Sequence, residues 1–321
     1  MVITLPTISR GQTNGAGQTS FILHEEGRQH HWEGTGALSI KSFYHGQAFY
    51  NVGNGCHLVN DDSYLVLNHG QPYSIIIDAK QPIESFCVFF AAGFAEEVHR
   101  SLTTPSHRLL DAPETPPSPL LHFFERTYRH DEVLTPVLQH LRSALVPRQN
   151  DRGWLSEQLH HLVQRLLQVH QNVSAEVETF PYLRAATREE LYRRLHRAKD
   201  YITALFDQPL TLDEMAQVAC LSPNHFLRTF KQAFRQTPHQ HLTQLRLERA
   251  KTLLAHTERS ITDICFAVGF ESLGSFSWLF RRRVGIAPEG YRHKKVILKK
   301  RNFKTFPILG DNNMLMQESI S

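Results

Sequence analysis

Asn224, Leu227, Arg228 and Lys231 recur at i, i+3, i+4 and i+7, so on a helix they share one face. Their chemistry is that of reading a DNA groove. A guanidinium bonds guanine O6 and N7 bidentately, a carboxamide does the same to adenine N6 and N7, and an apolar group can only touch a thymine methyl. Arg228 is the candidate for guanine, Asn224 for adenine and Leu227 for methyl contact, while Lys231 suits a phosphate. Leu273, Gly274, Ser277, Trp278 and Arg281 form a second such face and run into Arg282 and Arg283. Leu273, Gly274, Ser277 and Trp278 are the base-facing candidates there. Arg281, Arg282 and Arg283 suit phosphates, which position a protein without specifying sequence.

Each face needs a helix held at a fixed angle by a partner helix. Thr211 followed by Glu214 is a capping box, and Leu212, Met215, Ala216 and Ala219 form the apolar stripe behind it. Ser222 with Pro223 starts the next helix, whose buried side is Phe226, Phe230, Ala233 and Phe234. The pattern repeats downstream. Ile261, Ile264, Cys265 and Val268 make one stripe, Gly269 stands at a left-handed C-cap, and Ser272 is the next N-cap. Phe276, Leu279, Phe280 and Val284 are the buried side of the second helix. Between the two units, Pro238 to His256 reads as a long linking helix. A helix, a tight turn and a second helix with an exposed basic face is the helix-turn-helix arrangement, whose second helix enters the major groove.

Two such units on one long helix resemble the DNA-binding region of AraC/XylS-type bacterial transcription regulators. The run GFESLGSFSWLFRRRVGIAPEGYR, Gly269 to Arg292, is similar to that family's pattern, and the resemblance extends from Leu191 to His293. It departs from the family at Trp278, where Arg is frequent. Trp cannot make a bidentate contact to guanine, which puts base reading by the second unit in doubt. The resemblance implies promoter DNA and RNA polymerase as partners, activation as the commoner outcome, a cytoplasmic homodimer, and a cupin-like sensor ahead of the DNA-binding region.

Charge agrees with a nucleic-acid partner. From Arg188 to Lys304 there are 22 Lys and Arg against 11 Asp and Glu, and the rest of the chain has 13 against 20. Cys56, Cys87, Cys220 and Cys265 form no C-x-x-C and read as four buried thiols, although a redox pair of Cys56 with Cys87 can be drawn. No apolar run is long enough for a membrane span, and no secretory signal is evident.

The N-terminal half supports an α+β chain: a small cupin-like β-barrel plus a helical hairpin, ahead of the all-α helix-turn-helix region. Residues 1–20 read as a flexible arm. Strands are expected at Leu38–Tyr44, Gln47–Val52, Ser63–Leu67, Tyr73–Asp78 and Ile83–Phe90, separated by turn signals, which places a barrel at 21–112. Phe94–Leu102 reads as a short helix. A hairpin of Leu120–Leu145 and Trp154–Gln171 fills 113–172 and is a candidate for dimerisation. A linker is expected at 173–190, the DNA-binding domain at 191–293, and a basic disordered tail at 294–321.

The barrel could hold a small-molecule effector. His24, His30, His31, His45, His57 and His69 lie in or near it, but no H-x-H occurs there, so they read as surface or turn residues, with no metal or other cofactor expected. Nor is there a catalytic carboxylate set. Three functions remain open at this level: a ligand-responsive regulator, a ligand-free regulator whose barrel dimerises or contacts polymerase, and a cupin enzyme with a DNA-targeting module.

Overall fold

The computed structural model describes residues 2–4, 19–105, 120–180 and 185–294. The chain divides into two compact units, one of residues 1–206 with 210–242 and one of 207–209 with 243–321.

The first unit contains an eight-stranded antiparallel sheet. Its strands are β1 (Val2–Thr4), β2 (Phe21–Thr35), β3 (Ser39–Tyr44), β4 (Gln47–Val52), β5 (Gly55–Asn60), β6 (Ser63–Leu67), β7 (Pro72–Phe89) and β8 (Thr127–Arg129). The path is β1-β2-β7-β3-β6-β8, with β4 pairing β7 and β5 to curl the sheet towards a barrel. β7 is its spine. The early part of β7 pairs with β4, the later part with β3, and β2 runs along both. Asp78 faces Gln29 and Ile83 faces Gly27, so residues 79–82 stand opposite Arg28 alone. Pro82 falls in this bulge, where no ladder N–H is needed. The turn expected between Asp78 and Ile83 is therefore a bend within one strand.

The period of two along these strands separates two cores. On β3, β6 and β7, Ile40, Tyr44, Tyr64, Val66, Phe86 and Val88 face the helices. Phe43, Leu65, Leu67, Tyr73, Ile75 and Cys87 face the interior of the curled sheet. β2 and β5 lie outside the expected strands. β2 is polar and largely exposed after its first residues, so it lacks an apolar period and is held by its long pairing with β7. Val2–Thr4, expected as part of an arm, extends the sheet beyond β2. The rest of the arm, 5–18, and the tail from 295 lie outside the described residues.

Helix α1 (Phe94–Thr103) follows β7. The first hairpin helix is shorter than expected. Residues 127–129 form β8 against β6, and α2 begins only at Thr135 (Thr135–Leu145). Asp131 causes this break, since its carboxylate accepts from the Val133 and Leu134 N–H groups and from the Tyr64 hydroxyl. The second hairpin helix, α3 (Arg152–Glu178), runs past the expected boundary because Val173 and Val177 continue its buried stripe. α4 (Ala185–Ala204) then begins inside the segment read as a linker.

α4 docks on the sheet through buried polar groups. His57, only 2% exposed, places Nδ1 3.0 Å from Asp200 Oδ2, and the same oxygen accepts the Thr127 N–H at 2.7 Å. His57 is thus a buried structural residue and not a turn histidine. Of the thiols, Cys87 and Cys265 are buried, Cys56 is half-buried and Cys220 is exposed, which corrects the expectation of four buried cysteines. Burial pushes Cys56 up to about 11 and Cys87 above its ordinary value, the opposite of what a reactive pair needs. No helix among the described residues is long and apolar enough to cross a membrane.

α5 (Leu212–Val218) and α6 (Pro223–Phe234) complete the first unit, and α7 (Pro238–His256) runs across the division. The second unit carries α8 (Ile261–Ala267), α9 (Leu273–Val284) and a closing helix, α10, at 288–294. Gly269 ends α8 with φ at 86°, and a Cβ there would lie 2.7 Å from the Asp207 carbonyl oxygen. Gly269→Ala should therefore destabilise the second unit by about 1–3 kcal/mol, from the left-handed backbone and the contact together. Urea unfolding with hydrogen exchange over 261–284 checks this, and unchanged protection there would refute it.

Candidate nucleic-acid interface

The first helix pair starts from the Thr211 cap. Thr211 Oγ1 accepts the Glu214 N–H at 3.2 Å, and Glu214 Oε2 accepts the Thr211 N–H at 2.8 Å, so the foreseen capping box is present. These bonds hold the Glu214 carboxyl below its usual range. The turn passes through Cys220 at φ 51°. Ser222 occupies the N-cap of α6 in an extended conformation without a capping bond from its side chain, and Pro223 fixes the first turn.

Phe226 and Phe230 are fully buried and stack edge-on 5.3 Å apart, with Phe234 a further 4.6 Å from Phe230. Burying that face leaves Asn224, Leu227, Arg228 and Lys231 exposed together on the other. Among the described residues no carboxylate lies within ion-pair distance of Arg228, so its guanidinium is not spent on a surface pair.

The second pair repeats the construction. Ser260 Oγ accepts the Asp263 N–H at 3.0 Å, and Ser272 Oγ accepts the Ser275 N–H at 3.3 Å. Phe276 and Phe280 are buried against Phe270 and Tyr291. Leu273, Gly274, Trp278, Arg281, Arg282 and Arg283 are exposed, while Ser277 is half-buried and so less available. Trp278 is 61% exposed, with the Arg282 guanidinium 5.0 Å above its ring. It is free to meet a partner instead of packing on the linking helix.

Comparison with known proteins bears on this geometry directly. A family model described as a helix-turn-helix domain matches residues 215–294. Over 102 residues the chain is 36% identical to the HTH-type transcriptional regulator ArgR of Pseudomonas aeruginosa, 32% of this chain and 31% of that protein. It is 32% identical over 107 residues to the melibiose operon regulatory protein of Escherichia coli, 33% of this chain and 34% of that one. The HTH-type transcriptional activator RhaS of an Enterobacter strain is 35% identical over 99 residues, 31% of this chain and 36% of that protein. Among solved structures, a transcriptional regulator from Chromobacterium violaceum described as an AraC-type DNA-binding domain-containing protein is 31% identical. That match covers 35% of this chain and 96% of that chain, with a TM-score of 0.31. The C-terminal region is an AraC-type DNA-binding domain. The chain spans about a third of the length of the curated relatives it matches.

The AraC-type domain carries two buried histidines in its first half that sequence reasoning passed over. His196 on α4 stacks on Tyr192 and meets Phe234 edge-on, and burial holds it neutral, well below the usual histidine range. His241 on α7 accepts from Gln236, and burial, helped by the charge of Lys199, lowers it to about 4. A histidine lowered on folding takes up its proton more readily when unfolded. Its contribution is complete above the unfolded value of 6.5 and is lost as pH falls from there towards the folded value. His241→Gln should therefore flatten the acid loss of stability, saving about 1–2 kcal/mol between pH 7 and pH 5. Parallel urea titrations of both proteins at the two pH values would give equal losses if His241 plays no part.

Proposed function

We propose that the chain is a transcription regulator that binds promoter DNA through α6 and α9 and responds to a small molecule held within the curled sheet. The observation that carries the reading is the repeated construction of the two helix pairs. Each buries a phenylalanine face and leaves a polar or basic face uncovered. On α6, Arg228 and Asn224 read bases, Leu227 offers a methyl contact and Lys231 meets phosphate. On α9, Leu273, Gly274, Ser277 and Trp278 approach the base edges while Arg281, Arg282 and Arg283 grip the backbone.

The docking of α4 on β5 and β8 supports responsiveness. It joins the first helix of the DNA-binding region to the sheet through Asp200, so a change in the sheet is felt at α4. One similar protein is named a transcriptional activator, which supports activation through RNA polymerase as the outcome. Homodimerisation uses another surface than the hairpin's apolar stripe. Leu138, Leu141, Leu159, Leu162, Val163 and Leu166 are already buried in the chain's own core.

Selection of bound duplexes from a random pool, at roughly physiological salt, tests the reading. Two enriched boxes about one helical turn apart are expected. A complete lack of enrichment would overturn it, and a single box beside a merely protected segment would make α9 a backbone clamp. Arg228→Ala should weaken binding to the selected site by about 1–3 kcal/mol and relax preference at one base pair. Equal weakening on random DNA would make Arg228 a phosphate anchor instead. Arg283→Ala should act on all sequences alike and lower the slope of log K against log salt by about 0.9.

A further inference from the structure

Inside the curled sheet lies a cavity of about 420 Å³ bounded by β2, β3, β4 and β7. Trp32, Phe43, Tyr50, Tyr73 and Phe89 line it, together with polar groups of β2 that include Glu25, Glu26, Gln29 and His30. Lys41 stands among the aromatic groups. It lies in the middle of β3, opposite Cys87 on β7 and Leu65 on β6, at a position whose neighbours on the same face are core residues.

Lys41 is only 2% exposed. Its Nζ donates to the Tyr73 hydroxyl at 3.2 Å and sits 3.5 Å over the Phe89 ring. Among the described residues no carboxylate lies within ion-pair distance of it. Burial lowers its pKa to about 8, so at neutral pH most of the population is still an ammonium. A hydroxyl and a ring face compensate a buried ammonium poorly, and an unpaired buried charge is costly. The cavity leaves room beside it for a counter-ion, which no described carboxylate supplies at contact distance.

We propose that this cavity binds an organic monocarboxylate with a compact apolar body. The carboxylate pairs with Lys41 Nζ and accepts from the Tyr73 hydroxyl, and the body packs among Trp32, Phe43, Tyr50 and Phe89. The acidic side chains Glu25 and Glu26 line the same cavity from β2 and disfavour a second negative charge on the ligand. A sugar or other neutral polyol could bond the polar groups of β2 but would leave the Lys41 ammonium without a counter-charge. The inference rests on the regulator reading for its consequence, since the bound acid is then the effector.

The experiment is calorimetric titration and thermal shift of the full chain with phenylacetate, 3-phenylpropionate and hexanoate. Phenylacetamide and hexanamide serve as neutral counterparts, and glutarate as a dianion. At least one monocarboxylate should bind and raise the melting temperature, and its amide and the dianion should bind at least about 10-fold more weakly. Lys41→Met keeps the side-chain length and removes the charge. It should stabilise the ligand-free protein and weaken the acid by about 10- to 100-fold. If that variant does not fold, Tyr73→Phe should still cost the acid about 3- to 10-fold. Equal binding of acid and amide, unaltered acid binding in the variant tested, or no binding by any monocarboxylate would overturn the proposal. Duplex binding measured on the same preparations keeps the two readings apart. Specific DNA binding without acid binding removes only the ligand, whereas acid binding without specific DNA binding removes the regulator.

Discussion

The alternation of side chains along β3, β6 and β7 is the constraint on which the first unit depends. One face of these strands must fill the space under α1, α2 and α3, and the other must close on itself. Because the period is two, a slip of one residue would exchange Ile40 for Lys41 and Phe86 for Cys87, putting a lysine under the helices. β7 fixes the register for its neighbours, since it pairs with β2, β3 and β4 together. The bulge opposite Arg28 lets one strand turn from one half of the sheet to the other, which encloses a cavity where a flat sheet would have none.

The same sheet positions α4. Asp200 is bound from two strands, by His57 of β5 and by the backbone of Thr127 in β8. Arg126, next to β8, donates to Tyr192 of α4 and to Glu176 of α3, and Tyr192 donates to Glu176 as well. A hydrophobic contact would hold α4 at many rotations about its axis, but directional bonds to buried acceptors hold it at one. Since His196 and Lys199 of α4 also meet Phe234 of α6, the placement of the first recognition helix is continuous with this polar cluster.

The two helix-turn-helix pairs solve one problem with different local chemistry. Each needs a chain reversal that leaves the second helix packed by a phenylalanine face. The first pair uses a capping box, a proline start and a non-glycine residue, Cys220, at positive φ. The second uses serine caps and Gly269, where the close approach of the Asp207 carbonyl excludes any side chain. The exposed faces differ accordingly. α6 presents separate polar groups suited to base edges, whereas α9 presents Trp278 under Arg282 and a run of arginines suited to stacking and phosphate.

By itself the sequence determined the C-terminal elements, because local signals set them. The 3.6-residue stripes, the Thr211 and Ser272 caps, and Gly269 all act within a few residues of where they stand, and they place Arg228 and Trp278 on uncovered faces without reference to the rest of the chain. Of the barrel, short β-branched runs such as Ser63–Leu67 were legible for the same reason. What only the tertiary structure decided depends on partners distant in the chain. β2 has no apolar period and exists through β7, β8 interrupts a helical pattern because β6 and Asp131 claim it, and His57 is buried because Asp200 lies 143 residues away. Lys41 belongs to this second class. In sequence it is one polar residue in an alternating strand, and only the closure of β2, β3, β4 and β7 makes it a buried cation beside the aromatic groups of a cavity.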